Sequence, residues 1–244
     1  MQLKPGARFE DQTIADADWA EADVTEAVFA GCVIEAASFA STVLLAARFE
    51  RCRFVGCRFA HADLREAVFE ACQFPPERQT GAAFAFSRLD EARFARCELT
   101  HARFEGCDLY DAAFDACNLM AAAFPRSSFA RTFGRKVERI AAAFMDCNLE
   151  LADLSGLRLA GARMALSRLR EADLSGADLE GADLTGADLF QAIVDETKLA
   201  GADLRGAEVS GLDLRRLATY ADLKIAADQQ FRLLDAMGID VQVE

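Results

Sequence analysis

The sequence predicts an all-β solenoid, short extended edges wound into stacked coils, ending in a short C-terminal helix and strand. Three observations carry that prediction. Residues 172–189 read ADLSG ADLEG ADLTG ADL, and a period of five matches neither the 3.6 of a helix nor the 2 of an ordinary strand. The central apolar position of this phrase recurs at every residue number ending in 4 or 9. Of the 43 such positions from Phe9 to Thr219, 39 are large and apolar, the exceptions being Gln79, Gly134, Arg139 and Thr219, so nearly the whole chain is one array. Two residues earlier the chain carries mostly Ala, Cys, Ser or Thr. A large and a small residue two apart lie on the same side of an extended stretch, so each repeat supplies one inward edge and one polar corner. No single repeat hides its own apolar face; edges must close into coils, and coils must stack.

The residues Ala172-Asp173-Leu174, Ala177-Asp178-Leu179, Ala182-Asp183-Leu184, Ala187-Asp188-Leu189 and Ala202-Asp203-Leu204 resemble the A(D/N)LXX signature of the pentapeptide-repeat family. The resemblance implies a right-handed quadrilateral β-helix with four pentapeptides per coil, so that residues twenty apart stack. With coils about 4.8 Å apart, about ten of them make a rod roughly 50 Å long.

From Phe9 to Phe74 the frame is regular, with Trp19 in a core position and Gln12 and Thr42 as atypical members of the small column. The first break is Pro75-Pro76-Glu77-Arg78-Gln79-Thr80-Gly81. Two prolines cannot continue a hydrogen-bonded ladder, so residues 75–83 are expected to form a surface loop, either replacing one side of a coil or bulging from it. The frame resumes from Phe84 to Phe129. Residues 130–141, ARTFGRKVERIA, break it again, with Arg131, Arg135, Lys136 and Arg139 against Glu138. This is expected to be a longer, basic loop. Repeat arrays often carry loops on their binding side, and exposed insertions are also simply tolerated; both readings stand.

From Phe144 the centres turn from Phe to Leu. One residue before the centre, stacked neighbours alternate in sign: Arg158, Asp178 and Lys198, or Arg168 with Asp188. Ion pairs between coils are expected there, each under roughly 1 kcal/mol. Asp153, Asp173 and Asp213 in one column, and Asp183 and Asp203 in another, lack such compensation and outline an acidic face. After Leu214 the pattern dissolves, dividing the chain into an array (1–219) and a capping or dimerising segment (220–244). Ala226 to Met237 has helical spacing, with Asp228 as N-cap, Phe231, Leu234 and Met237 on one stripe, and Gly238 as the stop. Residues 239–243 alternate as a strand. So short a helix is marginal alone. It must dock over the open end of its own stack, whose unpaired edge needs cover, or against a second copy in a two-fold dimer.

At 244 residues and 52% hydrophobic content, one domain and a tail are expected. No apolar run is long enough to span a membrane. MQLKPGARFE joins the frame by Phe9, leaving no room for a signal peptide, so a cytoplasmic location is expected. Cys32, Cys52, Cys57, Cys72, Cys97, Cys107, Cys117 and Cys147 all fall in the small column, with no Cys-x-x-Cys and no histidine at ligand spacing. They read as small buried hydrophobes, not metal ligands. Stacked pairs such as Cys32/Cys52 and Cys97/Cys117 come close, but a cytoplasmic chain disfavours oxidation. The net charge of −13 is uneven: −5 over residues 1–30, +1 over 31–144, −8 over 145–214 and −1 beyond. That balance disfavours direct nucleic-acid binding.

No catalytic constellation, phosphate loop or nucleophile elbow is present. His61 and His101 share an outward column, and a filled interior leaves no cleft for substrate. The reading is a non-enzyme without cofactor. The stretch from Lys224 to Ile239 is similar to the C-termini of the quinolone-resistance (Qnr) and MfpA-type subgroup. Loop placement matches too: Cys72-Gln73-Phe74 leads into the first loop, and Ala130-Arg131-Thr132-Phe133 opens the second. The array departs from that subgroup in being several pentapeptides longer at its N-terminus and in a shorter first loop with Pro75-Pro76. The resemblance implies a homodimer through Phe231, Leu234 and Met237. It also implies a rod that imitates duplex DNA, binds DNA gyrase or topoisomerase IV, and protects it from poisons such as fluoroquinolones. Partner contacts would come from Pro75, Pro76, Glu77, Arg78 and Gln79 in the first loop, and from Arg131, Phe133, Arg135, Lys136 and Arg139 in the second. A rigid acidic rod can compete for a basic DNA groove. The alternative is a repeat scaffold for some other protein, its acids serving solubility.

Overall fold

Each repeat contributes an extended triplet that buries its central residue, as Val28–Ala30 buries Phe29, followed by a corner. The second residue after the centre takes a left-handed conformation at corner after corner, for instance φ 57° at Glu26, 62° at Leu166 and 66° at Gly176. With an i→i+3 bond such as Ala22 N to Trp19 O at 3.0 Å, this is a type II turn, which needs positive φ at its third residue. Glycine adopts that conformation without a Cβ penalty, and this is why the Leu-centred repeats read ADLxG.

Four corners close a coil, and parallel in-register pairing joins each coil to the next. The result, in a computed structural model describing residues 3–15, 19–76, 81–134 and 137–242, is a right-handed quadrilateral β-helix. Its first face is a seven-stranded sheet of Arg8–Glu10, Val28–Ala30, Arg48–Glu50, Val68–Glu70, Arg93–Ala95, Ala112–Asp115 and Ala142–Met145. The second face holds Thr13–Ala15, Val33–Glu35 and Arg53–Val55; the third holds Arg58–Ala60, Ala83–Ala85 and Arg103–Glu105. The fourth is built from isolated bridges running Asp23, Val43, Asp63, Arg88, Asp108. Bridges such as Arg163 to Asp183 and Asp153 to Asp173 carry the faces on through the Leu-centred coils.

The core is a set of ladders. On the first face Phe9, Phe29, Phe49, Phe69, Phe94, Phe114 and Phe144 stack with ring centroids 4.7–5.1 Å apart. On the third, Trp19 leads Phe39, Phe59, Phe84, Phe104 and Phe124. Each fully buried phenyl contributes roughly 2–3 kcal/mol. The small column has its own chemistry. Thr42 Oγ1 donates to Trp19 O at 2.6 Å, Cys72 Sγ to Phe49 O at 3.3 Å, Cys97 Sγ to Phe69 O at 3.3 Å and Thr197 Oγ1 to Leu174 O at 2.7 Å. Thiol and hydroxyl play one role there, donating to the carbonyl of the large residue one coil back. All eight cysteines are buried, as expected. Burial pushes the Cys107 thiol up to about 11, so it keeps the proton it donates.

The two breaks resolve as insertions of whole repeats. Stacked partners are separated by 20 at Phe49–Phe69, by 25 at Phe69–Phe94 and by 30 at Phe114–Phe144. The first loop therefore bulges by five residues, and no side of a coil is replaced; Phe74 and Phe84 stay 6.0 Å apart in the core. The second adds ten. Gln79, Gly134 and Arg139 break the apolar column because those slots lie in the insertions.

The array ends with a slip. Thr219 sits opposite Lys198 and Lys224 opposite Asp203, a separation of 21. A 3-10 turn at Ala227–Gln229 leads into helix α1, Gln230–Ala236. Asp228 was the expected N-cap, but it makes no capping bond. Gln229 does the anchoring: buried, it donates from Nε2 to Leu204 O and Ala207 O, both at 2.7 Å, and accepts from Ala226 N at 2.6 Å. Leu233, one turn on, is buried with it. Gly238, φ 75°, stops the helix, with Ile239 N bonded to Leu234 O at 2.9 Å. The expected strand after it is absent among the described residues 239–242, which pair with no other described segment. No helix of the described residues is long and apolar enough to cross a membrane.

Phe94→Ala should cost about 3–5 kcal/mol in urea unfolding, because it breaks a ladder on both sides. Cys97→Ser keeps the donor and should stay within about 1 kcal/mol of wild type. Cys97→Val, which loses the donor and crowds the column, should cost about 1–3 kcal/mol.

Candidate partner-binding surface

The two insertions leave the rod at diagonally opposite corners. The first follows Phe74 between the second and third faces; the second follows Phe129 between the fourth and first. Of the expected contact residues, Glu77, Arg78, Gln79, Arg135 and Lys136 lie outside the described residues. Pro75 is half-buried and Pro76 exposed. The chain returns at Gly81, where a Cβ would lie 2.5 Å from Thr100 O. Only glycine allows that approach, so the loop's return limb presses on the next coil. A cavity of about 190 Å³ opens beside it, lined by Gln73, Phe74, Pro75, Pro76, Glu98 and Thr100.

The second insertion is expected from the sequence to be a longer, basic loop, with no secondary structure assigned to it. It is an antiparallel hairpin of Ala130–Phe133 with Val137–Ile140, Arg131 opposite Arg139. Arg131 pins it to the rod, donating to Asp90 at 2.5 Å and lying 4.6 Å over the Tyr110 ring. Phe133 meets the same ring edge-on at 5.7 Å, and Arg139 covers Phe133 at 5.5 Å. Glu138 pairs with Arg158. Arg131 is thus occupied by an almost buried carboxylate, while Phe133 and Arg139 face solvent. Asp90 and Tyr110 were missed in the sequence. Tyr110, a bulky aromatic at a corner otherwise polar or small, was the available signal.

The five aspartates do not form one face. Asp153 and Asp173 lie on the third face, where Ile193 follows them; Asp183 and Asp203 lie on the opposite, first face, bracketed by Arg163 and Lys224. Each accepts, through Oδ1, the backbone N–H two residues on: Ser155 to Asp153 at 3.0 Å, Ser175 to Asp173 at 2.9 Å, Thr185 to Asp183 at 3.0 Å and Arg215 to Asp213 at 2.9 Å. The aspartate of ADL therefore braces its own corner, a local rule the motif could have revealed. Two of the five are compensated from within their own corner, a pairing that the signs of stacked neighbours do not reveal. Arg205 pairs with Asp203 at 2.6 Å and Arg215 with Asp213 at 2.8 Å. The expected coil-to-coil pairs fare unevenly: Lys198 reaches Asp178 at 3.7 Å, but Arg158 turns to Glu138, and Asp188 takes Arg170 in place of Arg168. A corner brings residues two apart together and leaves long side chains free to choose among several carboxylates.

In the C-terminal segment Phe231 is 44% exposed, Tyr220, Ile225, Ile239 and Val241 are exposed too, and Leu234 and Met237 are half-buried. His61 is exposed, stacked on Phe86 at 5.5 Å.

Models of pentapeptide repeats match the chain in two regions: one described as a pentapeptide repeat region over residues 44–124, another as pentapeptide repeats (8 copies) over residues 147–186 and 182–216. No curated protein sequence matches. Among solved structures, full-length QnrB1, described as a plasmid-mediated fluoroquinolone resistance protein, aligns with a TM-score of 0.74 at 22% identity, over 97% of this chain and 99% of that one. A trypsin-treated QnrB1 gives 0.70 at 23% identity, over 97% and 100%. At such identities the likeness is one of fold.

Hydrogen bonds from Arg205 and Arg215 hold Asp203 and Asp213 at about 2, below the ordinary 3.8. Because the folded values are depressed, these pairs are intact above 3.8 and are lost as the pH falls to about 2. Carboxyl-carbon NMR titration should show this, and Arg205→Ala should return the Asp203 midpoint towards 3.8.

Proposed function

We propose, given that the chain belongs to the pentapeptide-repeat family, that it is a non-enzymatic, dimeric DNA mimic acting in the cytoplasm. Its partner is a type II topoisomerase, DNA gyrase or topoisomerase IV, which it protects from poisons such as fluoroquinolones. The observation that carries this reading is charge density. Residues 145–214 hold a net −8 in about three and a half coils, roughly 17 Å of axis, or about one net charge per 2 Å. Duplex DNA carries one per about 1.7 Å. Carboxylates occupy opposed faces of the rod, as phosphates flank a duplex.

The rest of the surface agrees. Phe133 and Arg139 are exposed on a hairpin anchored to the rod by Arg131, an arrangement suited to a protein partner. Leu233 and Gln229 seat α1 on its own coil, which leaves Phe231, Leu234 and Met237, with the exposed apolar residues Ile239 and Val241 that follow in the chain, for a second copy about a two-fold axis. QnrB1, of like fold, is described as a fluoroquinolone resistance protein.

The deciding measurement is gyrase supercoiling in the presence of a fluoroquinolone. Rescue by the protein is expected; no rescue at any concentration, together with no gyrase binding at low salt, would overturn the reading. Asp153→Asn, Asp173→Asn and Asp183→Asn keep the corner bond and remove the charge. Together they should weaken gyrase binding about tenfold, at ~0.5 kcal/mol per exposed charge, with an unchanged thermal midpoint. Phe133→Ser with Arg139→Ser should lower protection without loss of stability. Phe231→Asp with Leu234→Asp should halve the mass seen by light scattering; an unaltered mass would count against the dimer.

A further inference from the structure

We propose that the cavity at the base of the first loop is a seat for one cationic side chain, a lysine or arginine of the partner protein; the identity of that partner rests on the reading above. The cavity, about 190 Å³, is sized for a single long side chain. Its lining divides by chemistry: Phe74, Pro75 and Pro76 give apolar walls for a methylene stem, while Glu98, Gln73 and Thr100 give a carboxylate, an amide and a hydroxyl for the head. Long basic side chains bury their stems on apolar surface and keep the charged head at a polar rim, and a carboxylate there makes the stronger, charge-assisted bond.

Glu98 is available for that bond. Its Oε2 accepts from Asn118 Nδ2 at 2.9 Å, and among the described residues no arginine or lysine pairs with it. Several acids in the same third of the rod are matched, Asp63 with Arg65, Glu70 with Arg96, Asp90 with Arg131, Glu105 with Arg103 and Asp111 with Arg93. Glu66, Asp108 and Asp115 join Glu98 in having no such pair among the described residues, but of these four only Glu98 lines the cavity. Gln73 accepts from Arg53 at 2.9 Å, which ties down one wall. The mouth is also held. Gly81 presses on the Thr100–His101 backbone, where a Cβ would lie 2.5 Å from the carbonyl carbon of His101, and two proline rings line the other side. A seat fixed before binding loses little conformational freedom on occupation.

The test uses the full chain and agmatine, a guanidinium on a four-carbon stem, with butyrate as the anionic control. In nitrogen-15 NMR, agmatine should move the amide signals of Gln73, Glu98 and Thr100 saturably, and butyrate should not. Glu98→Gln should weaken agmatine about three- to fivefold, the worth of an exposed ion pair; Glu196→Gln, at an exposed acid several coils further along the rod, should leave it unchanged. Shifts that do not saturate, or equal affinity in Glu98→Gln, would overturn the seat. In a second arm, Glu98→Gln should weaken gyrase binding by a similar factor. Equal gyrase affinity would overturn the assignment of the occupant to the partner. Saturable agmatine binding by a chain that never binds gyrase would support the seat while removing the topoisomerase reading.

Discussion

Every coil of this rod depends on its neighbours for its backbone hydrogen bonds. Glu98 N donates back to Cys72 O, and Leu99 N donates forward to Asn118 O; neither coil could satisfy those groups alone, and a buried unpaired amide costs about 1–3 kcal/mol. The remaining features follow from keeping that reciprocity in register. Large side chains must stack on large side chains, which makes the long ladders of Phe on two faces and, further on, columns mostly of Leu. Most residues in the small column are no larger than Cys or Thr, the buried Leu157 and Leu212 being exceptions, and most of those with a donor share the carbonyl of the coil before. Corners must turn through left-handed backbone even where Leu151 or Leu166 pays roughly 1–2 kcal/mol for it. Stacking along the whole rod outweighs that local strain.

How much of this was legible in the sequence depends on range. The inward column, the buried cysteines and the stop at Gly238 were readable because each is set within a few residues. The aspartates of ADL were also locally determined, since Oδ1 of Asp183 meets an amide two residues away, yet the repeat drew attention to their charge and away from that bond. Contacts across an insertion were not readable. Arg131 meets Asp90 forty-one positions away because Asp90, Tyr110 and Ala130 follow one another at the plain twenty-residue spacing and the second insertion turns back there as a hairpin, which the break in the pattern alone does not reveal. The tail failed for another reason. Its alternation from Ile239 onward is a strand pattern, but a strand is a relation between two segments, and residues 239–242 meet no second one among the described residues.

The rod's outer surface falls into chemically distinct lengths. In the middle, arginines and acids largely neutralise one another and brace corners, loops and the hairpin. Beyond residue 145, acids outnumber bases, and much of each carboxylate's hydrogen bonding is directed inward, to its own corner. Structure and charge are thereby separable: one carboxylate oxygen maintains the turn, and the negative charge remains for whatever approaches from outside. The fold needs the acceptor and the proposed partner needs the charge, so selection on either can proceed without harming the other.

The insertion lengths have a consequence for how such a rod can change. Five added residues at the first loop and ten at the hairpin leave every later side chain on its original face. An indel of one residue would carry each downstream inward residue out to solvent and each outward acid into the axis. The lineage can therefore lengthen or trim its rod in quanta of whole repeats. The single-residue slip near Thr219 is tolerated because little ladder remains beyond it to be thrown out of phase.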